Sequence, residues 1–346
     1  MMSTENNGTY QTSLDDRFTF IKQAGKGTYG TTWIAEDKTT GNKVAVKAIS
    51  KAGTSRASFK KELKYSKHLS KHPNIITTHD TAYETKTSYV MVQDYAPGGD
   101  LFDAIELGLS EEKVRIYLGQ IAKALDYMHS KKLVHRDIKP ENIVLGDLEG
   151  SLVQLIDFGM TLRTGTHVSR ICGSIPYTTP EICNASDETG FYVHPSCDVW
   201  SVGVLLFCML TSSFPWEQAT LSDSNFYEFV QWQASGPGAK PPHMWQHFSP
   251  QLLELFRKLL AIEPKDRCKI TEVFRYLHVP WFADQPAAAP VVPATAVVPA
   301  AAVVSLSYET GLYDAYNVHG SPQCGLSSDW TTRNGHNSHY MSVTAC

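Results

Sequence analysis

The feature that most constrains this chain is the glycine-rich loop Gly25-Lys-Gly27-Thr-Tyr-Gly30, taken together with the residues directly after it. Glycines at this spacing let backbone amides approach a phosphate, and alone they fit a dinucleotide-binding turn as well as any other nucleotide flap. The dinucleotide turn requires a helix directly after the third glycine. Here Thr31 to Asp37 reads TTWIAED, a β-branched and aromatic run with strand character. Lys38-Thr-Thr-Gly41-Asn42 then reads as a hairpin turn before a second strand, Lys43 to Ile49. The glycines belong to a strand-turn-strand flap, and the doubly wound parallel sheet is set aside.

Around that flap the early part of the chain is strand-rich, with Phe18 to Ala24 ahead of the glycines and Tyr89 to Tyr95 further on. Residues 57–69 have helical spacing through Phe59, Leu63 and Ser66. Helices dominate afterwards. Ser110 is placed to cap a helix, Glu111 and Glu112 complement its N-terminus, and Val114, Tyr117, Leu118, Ile121, Leu125 and Met128 mark its apolar face. Ser249-Pro250 opens another, with a face of Leu252, Leu253, Phe256, Leu259 and Leu260. Strands early and helices late, with the nucleotide loop at the start, imply an α+β protein of two lobes around a cleft.

The composition of the chain shifts twice. Residues 1–17 are polar and acidic without an apolar core, which argues against a signal peptide; 18–282 alternate apolar runs with turn signals; 283–346 turn Pro/Ala/Val-rich and then polar, a tail expected to be disordered. The run Ala287–Val304 is uncharged, but Pro290, Pro293 and Pro299 interrupt it, so a membrane span is not expected. A net charge of −4 gives no bulk case for nucleic acid. The 7 cysteines lack CxxC spacing and read as free thiols of a reducing compartment. The expected address is the cytoplasm, with nuclear entry left open.

Two constellations carry chemistry. Lys47 ends the apolar strand Val44-Ala45-Val46, where it can grip nucleotide phosphates, and Glu62 on the following helix is its candidate partner. Spacing alone leaves open an ordinary surface ion pair, worth about 0–1 kcal/mol. More decisive is His135-Arg136-Asp137-Ile-Lys139-Pro-Glu141-Asn142, followed by Asp157-Phe158-Gly159. Asp137 can accept the proton of an attacking hydroxyl, and Lys139 can neutralise charge on a transferring group. Asn142 and Asp157 are hard oxygen ligands suited to Mg2+ bridging phosphates.

With these motifs in this order, residues Phe18 to Phe282 resemble the eukaryotic protein kinase family. The resemblance includes Thr179-Pro180-Glu181 in place of Ala-Pro-Glu, the run Asp198-Val-Trp-Ser-Val-Gly203, and Arg267, the family partner of Glu181. It implies a β-rich small lobe over about 18–95 and a helical large lobe over about 96–282. It also implies ATP and Mg2+ as cofactors. Lys47 and Glu62 become the activating pair, Asp137 the catalytic base with Lys139 beside it, and Asn142 and Asp157 the metal ligands. Nucleotide would lie against Ala24, Gly25, Gly27, Gly30, Thr32, Ala45, Lys47 and Val144 and meet the backbone of Asp94 to Ala96, with Gln93 behind the pocket. Asp198 would brace the catalytic loop. Lys139 and Ser174 are similar to the serine/threonine branch, so the implied partner is a protein with a Ser/Thr acceptor. The stretches QDYAPGGDLFD, DFGMTLR, GSIPYTTPEIC and NFYEFVQWQ look like the SH3-binding-domain kinase (SBK) group.

Some positions depart from the family pattern. Thr32 replaces the usual valine, and Ser66 and Thr78 stand where most relatives pack apolar groups behind Phe158. Arg170 occupies the place of the usual phosphothreonine, which implies order without that phosphate or use of Thr166 or Ser169 instead. These departures keep open a pseudokinase that binds or scaffolds without turnover. Asp100 and Glu141 sit where acids in some relatives read a basic residue in the substrate, or are solvated charges. Pro290-Val-Val-Pro293 has the PxxP core of an SH3 ligand, without an adjacent cation to orient it, and reads more readily as linker.

Overall fold

The computed structural model describes residues 9–10, 14–27, 30–169, 175–185, 189–236 and 238–283. The tail expected from 283 onward, with Pro290–Pro293, lies outside the described residues apart from Ala283, and so do Arg170 and Ser174.

The small lobe is built on β1 (Phe18–Gly27), β2 (Gly30–Asp37), β3 (Lys43–Ser50), β4 (Thr78–Glu84) and β5 (Ser88–Asp94). Their order across the sheet is β4-β5-β3-β2-β1, all antiparallel, with Thr9–Tyr10 added in parallel outside β4. Alternation in β3 explains the lobe's two apolar clusters. Val44 and Val46 face Phe18, Ala35, Tyr83, Val90 and Val92. Ile49, on the opposite face, packs with Phe59, Ala82, Tyr89 and Met91. Lys47 shares the face of Ile49, so the pleat aims it toward the helix that supplies Phe59. That helix, α1 (Arg56–Leu69), begins at Ser55, whose side chain accepts the Ser58 amide at 3.0 Å. The expected hairpin turn at 38–42 is present, closed by the Gly41 amide on the Asp37 carbonyl at 2.7 Å.

The large lobe contains α2 (Leu101–Glu106), α3 (Glu111–Ser130), α4 (Ser196–Thr211), α5 (Ser224–Ala234) and α6 (Pro250–Leu259). Ser110 and Ser249 cap α3 and α6 as their sequence positions suggest, accepting the Lys113 and Leu252 amides at 3.2 and 3.1 Å. Nearly every side chain of α4 is buried, as suits a helix apolar on all sides at the centre of a lobe. Its rings Trp200 and Phe207 pack against Trp216, Phe226, Trp245, Phe248 and Phe256. No described helix is long and apolar enough to cross a membrane.

The site is positioned by short strand pairs between the lobes and α4. β6 (Leu133–Val134) pairs with β9 (Leu162–Arg163), β7 (Ile143–Leu145) with β8 (Val153–Leu155), and β10 (His167–Val168) with β11 (Phe191–Tyr192). The segment after α1 is tied to the large lobe by Ile76 N to Leu155 O and Leu155 N to Asn74 O, both 3.0 Å. The C-terminal end of α1 is therefore anchored beside the strand that leads to Asp157.

Candidate active site

The glycine loop lies between β1 and β2. Gln23 pairs with Trp33 but Gly25 with Thr32, so Ala24 is an extra residue that bends β1 as the glycines begin. Gly30 tolerates no side chain, since a Cβ there would lie 2.2 Å from the Ala48 carbonyl oxygen. Gly27 is open on that side. Thr32 stands opposite Lys47 in the sheet, and Ala45 opposite Gln93. Strand alternation therefore puts Thr32, Ala45 and Lys47 on one face, the roof of the cleft. Val144 on β7 bridges to Asp100. At the rear, β5 ends at Asp94, whose amide donates to the Thr77 carbonyl at 3.0 Å and whose carboxylate pairs with His79 at 2.8 Å. The side chain and amide of Asp94 are thus engaged elsewhere.

Lys47 joins the two lobes. Its Nζ lies 2.8 Å from Glu62 Oε1 and 3.1 Å from Asp157 Oδ2. Glu62 is 7% exposed, so the pair is not the ordinary surface bridge that spacing alone left open. Burial works against the Lys47 ammonium, but the charges of Asp157 and Glu62 outweigh it and hold the group protonated. Burial likewise pushes Asp157 up, and Lys47 more than reverses the shift, keeping that carboxylate below its ordinary range. For Glu62, burial wins over Lys47 and the shift is upward. A cation between two carboxylates, one on each lobe, fixes α1 against the Asp157 loop.

The catalytic loop is a second cluster. Asn142 Nδ2 donates to Asp137 Oδ2 at 2.7 Å and to the Asp137 carbonyl at 2.8 Å, while Lys139 Nζ lies 3.3 Å from the same carboxylate. The Asn142 nitrogen is committed to Asp137, which leaves its carbonyl oxygen as the available ligand atom. That oxygen and the Asp157 carboxylate form a sparse, hard donor set of the kind Mg2+ takes when phosphates and water complete its shell. Arg136 and Asp157 hold positive φ, 73° and 62°, strain that persists only where the surroundings over-determine it.

Those surroundings centre on Asp198, which is fully buried. Its carboxylate accepts the amides of His135 and Arg136 at 2.9 and 2.8 Å, and His129 Nε2 lies 2.8 Å away. His135 in turn reaches the Ile156 carbonyl at 3.1 Å and packs against the buried Phe158 ring at 5.4 Å. Glu181 and Arg267 form the expected pair, bidentate at 2.7 and 2.6 Å. Sequence reasoning misses His129, because a histidine near the end of a long helix carries no signal of its own.

Behind Phe158 the polar side chains are satisfied rather than stranded. Gln93 Nε2 donates to Thr78 Oγ1 at 3.0 Å, the Thr78 amide donates to Ser70 Oγ at 2.8 Å, and Ser66 Oγ donates to the Glu62 carbonyl at 2.9 Å. Asp100 caps α2, accepting the Asp103 amide at 2.9 Å. Burial lifts the Asp100 carboxyl, and the negative charges of Asp103 and Glu141 add to the shift.

Residues 18–282 match the family model "Protein kinase domain". The chain is 50% identical over 266 residues to "Serine/threonine-protein kinase SBK1" of Danio rerio, covering 76% of this chain and 69% of that protein. It is 47% identical over 263 residues to the Mus musculus protein of the same name, covering 75% of this chain and 63% of that one. It is also 34% identical over 272 residues to "Serine/threonine-protein kinase meng-po" of Drosophila melanogaster, covering 77% of this chain and 59% of that one. The match thus spans roughly two thirds or less of these longer relatives. The chain belongs to the protein kinase family and, within it, to the SBK group of serine/threonine kinases.

Proposed function

We propose that the chain is an active kinase that transfers the γ-phosphoryl group of Mg2+·ATP to serine or threonine hydroxyls of proteins, with Asp137 as the base. The observation that carries this reading is Lys47, bonded at once to Glu62 and Asp157 while Asn142 holds the Asp137 carboxylate. In this reading the hydroxyl oxygen bonds to phosphorus as the bond to the β–γ bridging oxygen breaks. Asp137 receives the hydroxyl proton, and Lys139 offsets negative charge beside it. Asn142 and Asp157 would hold Mg2+, which supplies charge neutralisation at the phosphates. The chain's own contribution is orientation and electrostatics, which is most of what phosphoryl transfer requires.

The test is phosphate transfer from Mg2+·ATP to a generic basic protein. The expected turnover lies in the range of about 1–100 s⁻¹ usual for kinases, and Lys47→Met should lose most of it. No turnover from wild type that still binds nucleotide would transfer the assignment to a pseudokinase scaffold.

Three finer readings extend this one. Negative charge at Asp100 and Glu141 would favour a basic residue near the acceptor, although Asp100 also caps α2; a peptide library without Arg or Lys enrichment would reject it. Pro290–Pro293 would engage an SH3 domain only weakly. A pull-down unaffected by Pro290→Ala and Pro293→Ala would assign the segment to linker. The proposed address is the cytoplasm, to be checked by imaging the tagged chain; confinement to an organelle would refute it.

A further inference from the structure

The segment after Asp157-Phe158-Gly159 is paired along most of its described length. β9 pairs with β6, and the Thr164 amide then donates to the Lys132 carbonyl at 2.9 Å. Next, the Gly165 amide donates to the Val193 carbonyl at 2.8 Å, and the Val193 amide donates to the Thr166 carbonyl at 2.9 Å. β10 and β11 continue the ladder, with His167 opposite Tyr192 and Val168 opposite Phe191. The His167 and Tyr192 rings meet edge to face at 5.0 Å, and His167 Nε2 reaches the Thr189 carbonyl at 3.2 Å. Gly190 is required by this geometry. It sits at φ +55°, and a Cβ there would lie 2.4 Å from the Val168 carbonyl oxygen.

The same ladder reaches the catalytic loop. The Arg136 guanidinium lies 6.0 Å from the centre of the Phe191 ring and donates from Nη1 to the Met160 carbonyl at 3.1 Å. Its Nη2 is shielded from water and has no hydrogen-bond partner among the described residues. An aromatic face gives a buried guanidinium partial compensation of the kind a phosphate would otherwise supply. A phosphate on this segment could reach Nη2 only by displacing what covers it. In switchable relatives of this chemistry, an added phosphate paired with arginine orders the segment. Here backbone pairing within the chain ties the same stretch to residues 189–193.

We infer that this ladder orders residues 162–169 without any phosphate on that stretch, with Phe191 as a positioning residue for Arg136. The inference rests on the kinase reading above for its catalytic consequence, but the order of the ladder is measurable without it. Ladder strands built into one chain face a high effective concentration of each other, so the device is always engaged rather than switched.

The test uses full-length chain treated with phosphatase and verified by mass spectrometry to carry no phosphate in this segment. Two quantities are read: turnover against untreated protein, and amide exchange over residues 162–169 and 189–193. The expected result is turnover unchanged within about twofold and slow exchange at Gly165 and Val193. Phe191→Ala should lower kcat by about tenfold or more at nearly constant KM for ATP, and Phe191→Tyr should restore it. Gly190→Ala should speed exchange across the ladder. Turnover that appears only with phosphate on Thr166 or Ser169 would overturn the inference and leave the kinase reading intact. Fast exchange in the unphosphorylated chain would overturn it as well. Slow exchange with no turnover in either state would refute the kinase reading, and with it the role given to Phe191.

Discussion

Two buried carboxylates, Asp198 beneath the catalytic loop and Glu62 behind the nucleotide cleft, are held in place by different means. Asp198 accepts two backbone amides and meets His129, so it is fixed by several short hydrogen bonds within one lobe. Among the described residues Glu62 is ion-paired to Lys47, which is shared with Asp157 on the other lobe. Removing one contact from Asp198 leaves the others in place. Removing Lys47 from Glu62 leaves a buried carboxylate without a cation. The floor of the site is therefore held by several hydrogen bonds within one lobe, whereas Glu62 in the roof meets the Asp157 loop through Lys47.

The comparison breaks first at Asp198. Asp198→Ala strands the amides of His135 and Arg136 and should cost about 3–5 kcal/mol of stability. Urea unfolding measures it; a loss below about 1 kcal/mol would show that the floor does not depend on this carboxylate. Glu62→Gln should act on rate rather than on folding. The amide keeps the shape but not the charge, and kcat should fall by about 10–100-fold with a much smaller change in the unfolding midpoint. Equal losses in both would show that the roof is as structural as the floor.

A pH titration sharpens the contrast. Burial pushes the Asp198 carboxyl up, but the hydrogen bond and charge of His129, with His135 and the Arg136 amide, more than reverse it and hold the carboxyl below its ordinary range. A depressed carboxylate contributes stability that is full above its unfolded value and is lost as pH falls through the folded one. Thermal melts should steepen in their loss of stability below about pH 4, and Asp198→Asn should remove that part of the dependence. The smallest effect is expected at the rear wall. Thr78→Val removes the hydroxyl that accepts from Gln93 and should cost about 1–2 kcal/mol with Lys47–Glu62 still formed.

Legibility in the sequence divides along the same line, between local and long-range contacts. The glycine flap, the caps at Ser110 and Ser249, and the group Asp137, Lys139 and Asn142 depend on neighbours within a few residues, and local pattern exposes such features. β4 carries no such signal: Thr78–Glu84 reads THDTAYE, and only its burial of Ala82 and Tyr83 against β5 makes it a strand. The depth of Lys47–Glu62, the Gln93–Thr78 bond and the β10–β11 ladder all join residues that folding brings together across intervening elements. Strands of two residues offer no alternation to read. Asp94 and Asp100 teach the reverse lesson. Their carboxylates stand out in sequence, and the fold commits them to His79 and to the cap of α2.

In the proposed reaction the hydrogen-bonded floor holds Asp137 as the base for phosphoryl transfer. The most direct measurement compares wild type with Asp137→Asn for transfer from Mg2+·ATP to a basic protein, with nucleotide affinity and melting temperature measured on the same samples. The expected result is a loss of about 10²–10⁴-fold in kcat, the usual worth of a positioned base, with affinity and melting temperature retained. Equal transfer by both proteins, or transfer by neither while nucleotide still binds, would contradict it.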